Sequence, residues 1–142
     1  MHSKTRTAKQ LEMIIIIYFY LLTTTKSTRY FMKIVQLSDV HFGSQFRDDV
    51  FNQVISEVNE LSPDAVIITG DLTNEGLKDE YEGCKELILK LNVKKIIAMP
   101  GNHDYRNTGY LHFKKYFPFQ AINELGNEVV VVTIGTARPD RD

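Results

Sequence analysis

Apolar residues along this chain of 142 residues change their period as they run. Compact β-prone blocks at 33–37, 65–69 and 95–99 have the near-continuous hydrophobicity of strands covered on both faces. Between the first two, Val50, Phe51, Val54, Ile55, Val58 and Leu61 return every third or fourth position. They form one stripe of a helix over 47–61, which Pro63 prevents from continuing. Tyr81, Cys84, Ile88 and Leu91 mark a second helix with Glu and Lys on its outer side. Gly83 in its interior weakens it by about 1 kcal/mol relative to alanine, and Asn92 is its stop. Farther on, Tyr110, Phe113, Phe117 and Phe119 predict a short aromatic helix or turn halted at Pro118, and a valine-rich stretch over 128–135 predicts a further strand. Strand and helix signals in alternation predict an α/β domain with a mainly parallel sheet.

The first 31 residues do not share this pattern. Lys4, Arg6 and Lys9 precede an apolar block over 13–22 and then a polar run over 23–28. Read as a signal peptide, the block is bordered by Glu12 and followed by no small-x-small cleavage site. Read as a membrane span, it falls short of roughly 20 apolar residues. The preferred reading makes residues 1–31 an extension of the kind an early start codon would add, packing weakly or not at all against a domain at 32–142. Membrane contact is then expected only if residues 11–22 are a real anchor. The expected compartment is the cytoplasm, with export or membrane association through this segment as the alternative.

Composition narrows the class. Apolar residues make up 43% and charged residues 25% of the chain, which excludes wholesale disorder, and the length suits one domain. Lys and Arg number 17 against 18 Asp and Glu, so the basic excess that non-specific nucleic-acid binding requires is absent. Cys84 is the single cysteine, which excludes an internal disulfide. At helical spacing between Tyr81 and Ile88, it reads as a small buried hydrophobe.

The candidate chemistry lies where each of the three blocks ends: Asp39-Val40-His41, Gly70-Asp71 and Gly101-Asn102-His103-Asp104. In an open parallel sheet with right-handed crossovers, all strands point their carboxyl ends the same way, so groups just past those ends share one crevice. Asp39, Asp71 and Asn102, some thirty residues apart in sequence, are therefore expected to meet. Asp39 and His41, separated by one residue, share a face of extended backbone and form a chelating pair. Asp-x-His alone arises often by chance. Gly-Asn-His-Asp is expected on the order of once per thousand chains of this length, and its place after a Pro-Gly break sharpens it. Carboxylate, imidazole and carboxamide groups converging from strand ends can hold paired divalent ions, the usual machinery for cutting phosphate esters.

The segments Leu37-Ser38-Asp39-Val40-His41-Phe42, Thr69-Gly70-Asp71-Leu72-Thr73 and Pro100-Gly101-Asn102-His103-Asp104 closely resemble the calcineurin-like metallophosphoesterase superfamily, especially its cyclic-nucleotide and glycerophosphodiester phosphodiesterase-like branch. The resemblance runs from about Met32 to the end. It implies a four-layer α-β-β-α sandwich of which only the N-terminal half is present. It further implies that Asp39 and His41 hold a first metal ion, that Asp71 bridges two ions and that Asn102 holds the second. His103 would sit beside the leaving group, with Asp104 orienting its imidazole. The substrate implied is a small-molecule phosphodiester, with phosphomonoesters as a second option. Mixed oxygen and imidazole donors point to manganese, iron or zinc rather than magnesium.

Family members complete both ions with a later isolated histidine and a Gly-His-x-His segment, which this sequence lacks. The other histidines are His2, in the leader, and His112, which reads as packing among aromatics. The sequence is therefore expected to be a C-terminally truncated domain, with a long unpaired sheet edge and an uncovered apolar face. A non-catalytic remnant or interaction module with weak metal affinity is the alternative to an enzyme. Arg106 could clamp a phosphate oxygen, although a solvated surface role is the plainer reading. Lys114 and Lys115 are expected to coat the outside of a helix.

Overall fold

Four strands form the main sheet in chain order, β1 (Ile15–Tyr20), β2 (Phe31–Leu37), β3 (Ala65–Ile68) and β4 (Ile96–Ala98). The structure, a computed structural model, describes residues 15–20, 31–44, 46–127 and 129–138. β2, β3 and β4 are parallel, with Ile34 opposite Ala65 and Val66 opposite Ile96. β1 runs antiparallel to β2, with Ile17 opposite Ile34.

The crossovers are α1 (Asp48–Leu61) and α2 (Lys78–Ile88). Strands laid side by side in sequence order, each joined by a right-handed crossover, put both helices on one face of the sheet. Val35, Leu37, Val66 and Ile68 meet Phe51, Val54, Val58, Tyr81, Cys84 and Leu87 there. α1 opens with Asp48 and Asp49, suited to the positive end of the helix dipole. It closes with Ser62 in the left-handed region at φ 47° directly before Pro63. In α2 the Glu80 carboxylate accepts the amides of Glu75 and Leu77 and caps the first turn. The helix ends at Ile88 rather than Asn92. Leu91 stays buried because i to i−3 turns carry the chain on from Leu87 and Ile88.

Gly83 has a packing reason. A side chain there would place its Cβ 2.4 Å from the Phe42 ring, so the helix gives up propensity for a close aromatic contact. Beyond β4, a short 3-10 segment over His103–Thr108, broken at Arg106 and Asn107, leads into α3 (Gly109–Tyr116). Phe113 and Phe117 of this region join the helical core and pack around Tyr81. His112 lies 6.2 Å from the Tyr81 ring, a packing position.

The other face of the sheet differs from expectation. The strand expected over 128–135 forms as Val129–Val132 (β6), and it pairs antiparallel with Ile122–Leu125 (β5), which the sequence pattern did not reveal. This hairpin covers Met32, Ile34, Ala65 and Ile97 with Leu125, Val129 and Val131. The face expected to lie bare is therefore covered. β5 escaped notice because its alternation, with Ile122 out, Asn123 in, Glu124 out and Leu125 in, spans only four residues.

The leader also departs from its reading. Ile15–Tyr20, expected to pack weakly or not at all, supplies six residues of paired strand to the edge of β2. The signal-peptide, membrane-anchor and start-codon readings otherwise fall on residues outside those described. Among the described residues, no helix is long and apolar enough to cross a membrane.

Candidate metal centre

The loops after β2 and β3 are stitched together one residue at a time. Thr69 donates its amide to Leu37, Asp39 to Gly70, His41 to Asp71, Phe42 to Leu72, and Asn74 back to Phe42, at 2.9 to 3.2 Å. The ladder bends sharply as it leaves the sheet. Asp39, His41 and Asp71 all lie in the left-handed region, at φ 58°, 47° and 51°. Such conformations are uncommon for residues with a side chain and persist where surrounding bonds over-determine them.

The bend turns three side chains toward one another. His41 Nε2 lies 3.6 Å from a carboxylate oxygen of Asp39 and 3.9 Å from one of Asp71. Its Nδ1 is buried without a hydrogen-bond partner among the described residues. The other Asp39 oxygen accepts the Ser38 hydroxyl.

The loop after β4 closes on this cluster from the far side. The His103 amide donates to Asp71 Oδ1 at 3.0 Å, and the His103 ring stands edge-on to His41 with centroids 4.5 Å apart. Two glycines make this approach possible. A Cβ on Gly101 would fall 2.1 Å from Asp71 Oδ1, and one on Gly70 would fall 2.8 Å from the Gly101 Cα. Asn102 precedes His103 directly and opens the 3-10 segment.

A metal ion fits this donor set. One ligand atom each from His41, Asp71 and His103 lies within 4.8 Å of the others. Donors that share one ion through bonds of about 2.0–2.2 Å sit roughly 3–3.5 Å apart. Separations of 3.6 and 3.9 Å are too long for hydrogen bonds and close to that spacing. Two carboxylates beside two imidazoles supply the negative charge that draws a cation in.

Asp104, expected to orient the His103 imidazole, faces elsewhere. Its carboxylate is wholly buried and accepts the amides of Leu72, Thr73 and Gly101 and the Thr73 hydroxyl at 2.8 to 3.1 Å. Burial holds its carboxyl above the usual carboxylate range, against the pull of those donors toward the ionised form. The Tyr81 hydroxyl donates to the Asp104 main-chain carbonyl at 2.8 Å, and burial pushes that phenol up as well. His103 has another partner, since its Nδ1 is 2.7 Å from the Asn74 carbonyl. A carbonyl only accepts, so Nδ1 carries the hydrogen and Nε2 is left with its lone pair.

Arg106 is held by the same loop, with Nη1 at 3.1 Å from the Glu75 carboxylate and 3.2 Å from the Asn74 carbonyl. Lys114 and Lys115 are exposed. Beside the loop, Pro100, Tyr105, Tyr110, Phe113, Lys114 and Phe119 line a cleft of about 360 Å³.

Sequence reasoning missed Thr73, Tyr81 and the Asn74 carbonyl. Thr73 lies inside the Gly-Asp-Leu-Thr segment and could have been suspected from it. Tyr81 was legible only as an apolar helix position, and a main-chain carbonyl leaves no trace in side-chain identity.

The calcineurin-like phosphoesterase family model matches residues 32–137. An uncharacterized metallophosphoesterase of Helicobacter pylori is 35% identical over 103 residues, covering 70% of this chain and 26% of its own length. A probable glycerophosphodiester phosphodiesterase GpdQ of Arcobacter nitrofigilis is 35% identical over 105 residues, covering 66% of this chain and 38% of its own. For a probable cyclic nucleotide phosphodiesterase of Vesicomyosocius okutanii the values are 30% over 88 residues, 58% and 37%. The chain thus spans well under half the length of these curated relatives. With a parallel sheet whose strand ends gather His41, Asp71 and His103, with Asp39 beside His41, and a family model matched across 32–137, the chain belongs to the calcineurin-like phosphoesterases.

Proposed function

We propose that this chain carries the amino-terminal ligand set of a dinuclear metal-dependent phosphodiesterase. The observation that carries the reading is the convergence of His41, Asp71 and His103 on one point, with Asp39 alongside. In this reading Asp39 and His41 would hold one ion, Asp71 would contribute to both and Asn102 would hold a second. Bound manganese, iron or zinc would supply a water of lowered pKa and withdraw charge from the phosphoryl oxygens.

The chain's own groups do the rest. Asp71 is aimed by the His103 amide. His103, with Nδ1–H on the Asn74 carbonyl, presents Nε2, which has to take up a proton before it can pass one to the departing alkoxide. Arg106, tied to Glu75, orders the loop rather than the substrate. The cleft between Tyr105 and Phe119 receives the organic part of a small phosphodiester, its aromatic walls matching a flat or apolar group and Lys114 an anionic one. A single, deeply buried thiol suits action in the reducing cytoplasm.

The test is hydrolysis of bis(4-nitrophenyl) phosphate with added manganese, alongside calorimetric metal binding. Asp71→Asn is expected to abolish stoichiometric binding and to lower any metal-dependent rate by roughly 100-fold or more. Wild-type protein that binds none of the three metals refutes the reading. One observation favours a second reading, a non-catalytic module with weak metal affinity. Two four-coordinate ions need up to eight donor positions, more than these side chains supply. Metal binding with no turnover under manganese, iron or zinc selects it.

A further inference from the structure

The Asp104 carboxylate sits at the junction of the two loops that carry the central ligands, and it reaches both. Oδ2 accepts from the Leu72 amide at 3.1 Å and the Gly101 amide at 2.9 Å. Oδ1 accepts from the Thr73 amide at 3.0 Å and the Thr73 hydroxyl at 2.8 Å. Leu72 and Thr73 directly follow Asp71, and Gly101 directly precedes Asn102. A bond in the opposite sense, from the His103 amide to Asp71 Oδ1, ties the loops a second time. The Tyr81 hydroxyl fixes the Asp104 main chain from helix α2.

We infer that Asp104 is a positioning residue for Asp71 and Asn102. It acts as a buried carboxylate staple that sets the separation of the two loops, and with it the geometry of the metal site, rather than as the partner of His103.

The chemistry of the contact requires a carboxylate. Four donors converge on it within 3.1 Å, two per oxygen, with the Tyr81 hydroxyl a longer fifth at 3.4 Å from Oδ1, and no other side chain of this length accepts four hydrogen bonds. An amide in its place offers one oxygen and, in either orientation, turns an NH₂ toward at least one backbone N–H group that then has no acceptor. The Leu72 and Thr73 amides cannot turn to water, because Leu72, Thr73 and Asp104 are all wholly buried. The two loops must then part. Since a Cβ-free contact between Gly70 and Gly101 is what lets Asp71 and His103 meet, even a small separation is felt at the ligands. Partners that orient ligands in this way typically matter 10- to 100-fold in metal affinity.

The inference rests on the metal-binding reading above, and its test keeps the two apart. In the 142-residue chain, Asp104→Asn is expected to weaken manganese binding in calorimetry by roughly 10- to 100-fold. It should also alter the visible absorption of bound cobalt while far-ultraviolet circular dichroism stays native. Without metal, hydrogen exchange at the Leu72 and Thr73 amides should speed up at least about tenfold while α1 amides do not change. Thr73→Val, close in shape and lacking one donor, should shift both readouts in the same direction by less, and it carries the test if Asp104→Asn fails to fold. Unchanged exchange and metal affinity within threefold of wild type, in whichever variant folds, would overturn the staple while leaving the metal-binding reading intact. Wild-type protein that binds no metal would remove that reading, and the exchange experiment would still decide whether Asp104 joins the loops.

Discussion

At the carboxyl ends of β2, β3 and β4, the chain is held by bonds that reach some thirty residues in either direction: Asp104 to Leu72 and Thr73, His103 to Asp71, and His41 and Phe42 to the loop after β3. Behind the sheet, the β5–β6 hairpin turns Leu125, Val129 and Val131 inward. Its outer face shows Ile122, Val130 and Val132, each between 58% and 66% exposed. The first region tolerates almost no added atom, as the glycines at 70 and 101 record. The second has room on one side everywhere. Tight cross-linking belongs where side chains must be placed to fractions of an ångström, whereas a cover needs only one apolar face.

Substitutions that add a single methyl group set this contrast sharply. Gly101→Ala should have the largest effect, because its Cβ would meet Asp71 Oδ1 at 2.1 Å and the Asp71 amide nitrogen at 2.5 Å. A loss of about 3 kcal/mol in urea unfolding and the disappearance of metal binding are expected. A variant with native metal affinity would show that the two loops are not in forced contact.

Gly83→Ala comes next and sets helix propensity against packing. Propensity alone gives a gain of about 1 kcal/mol. The Phe42 ring at 2.4 Å gives a net loss of about 1–2 kcal/mol instead. Phe42→Leu in the same background should recover part of it, and a stabilised Gly83→Ala single variant would contradict the packing.

On the hairpin, Val130→Thr and Val132→Thr should change stability by no more than about 0.5 kcal/mol, with lower aggregation as the clearer readout. A loss of several kcal/mol at either position would mean that the outer face is covered after all.

The smallest effect concerns acid. Arg47, bonded to Asp49, holds that carboxyl well below its usual range, at about 2. A lowered folded-state pKa contributes stability that is present above the unfolded-state value and lost as pH falls toward 2. Both groups are fully exposed, so Arg47→Ala should barely move the acid limb of a thermal unfolding profile. A marked shift would locate hidden burial at the start of α1. By contrast Cys84, whose thiol burial pushes far up, should react with Ellman's reagent only as the protein unfolds.

By itself the sequence determined the parallel core and the ends where the chemistry gathers. Buried strands need continuous apolar runs, helices need a 3.6-residue stripe, and Asp39, His41, Asp71 and Asn102 follow directly on such runs, so one-dimensional spacing carries this information. Only the tertiary structure decided that Asp104 turns away from His103 toward Leu72, Thr73 and Gly101, that the Asn74 carbonyl takes its place, that Ile15–Tyr20 pairs with β2, and that Ile122–Leu125 completes a hairpin. Each of these depends on which backbone group lies opposite which, across 3 to 32 residues of chain. A backbone amide or carbonyl is the same at every position, so no residue type marks it in advance.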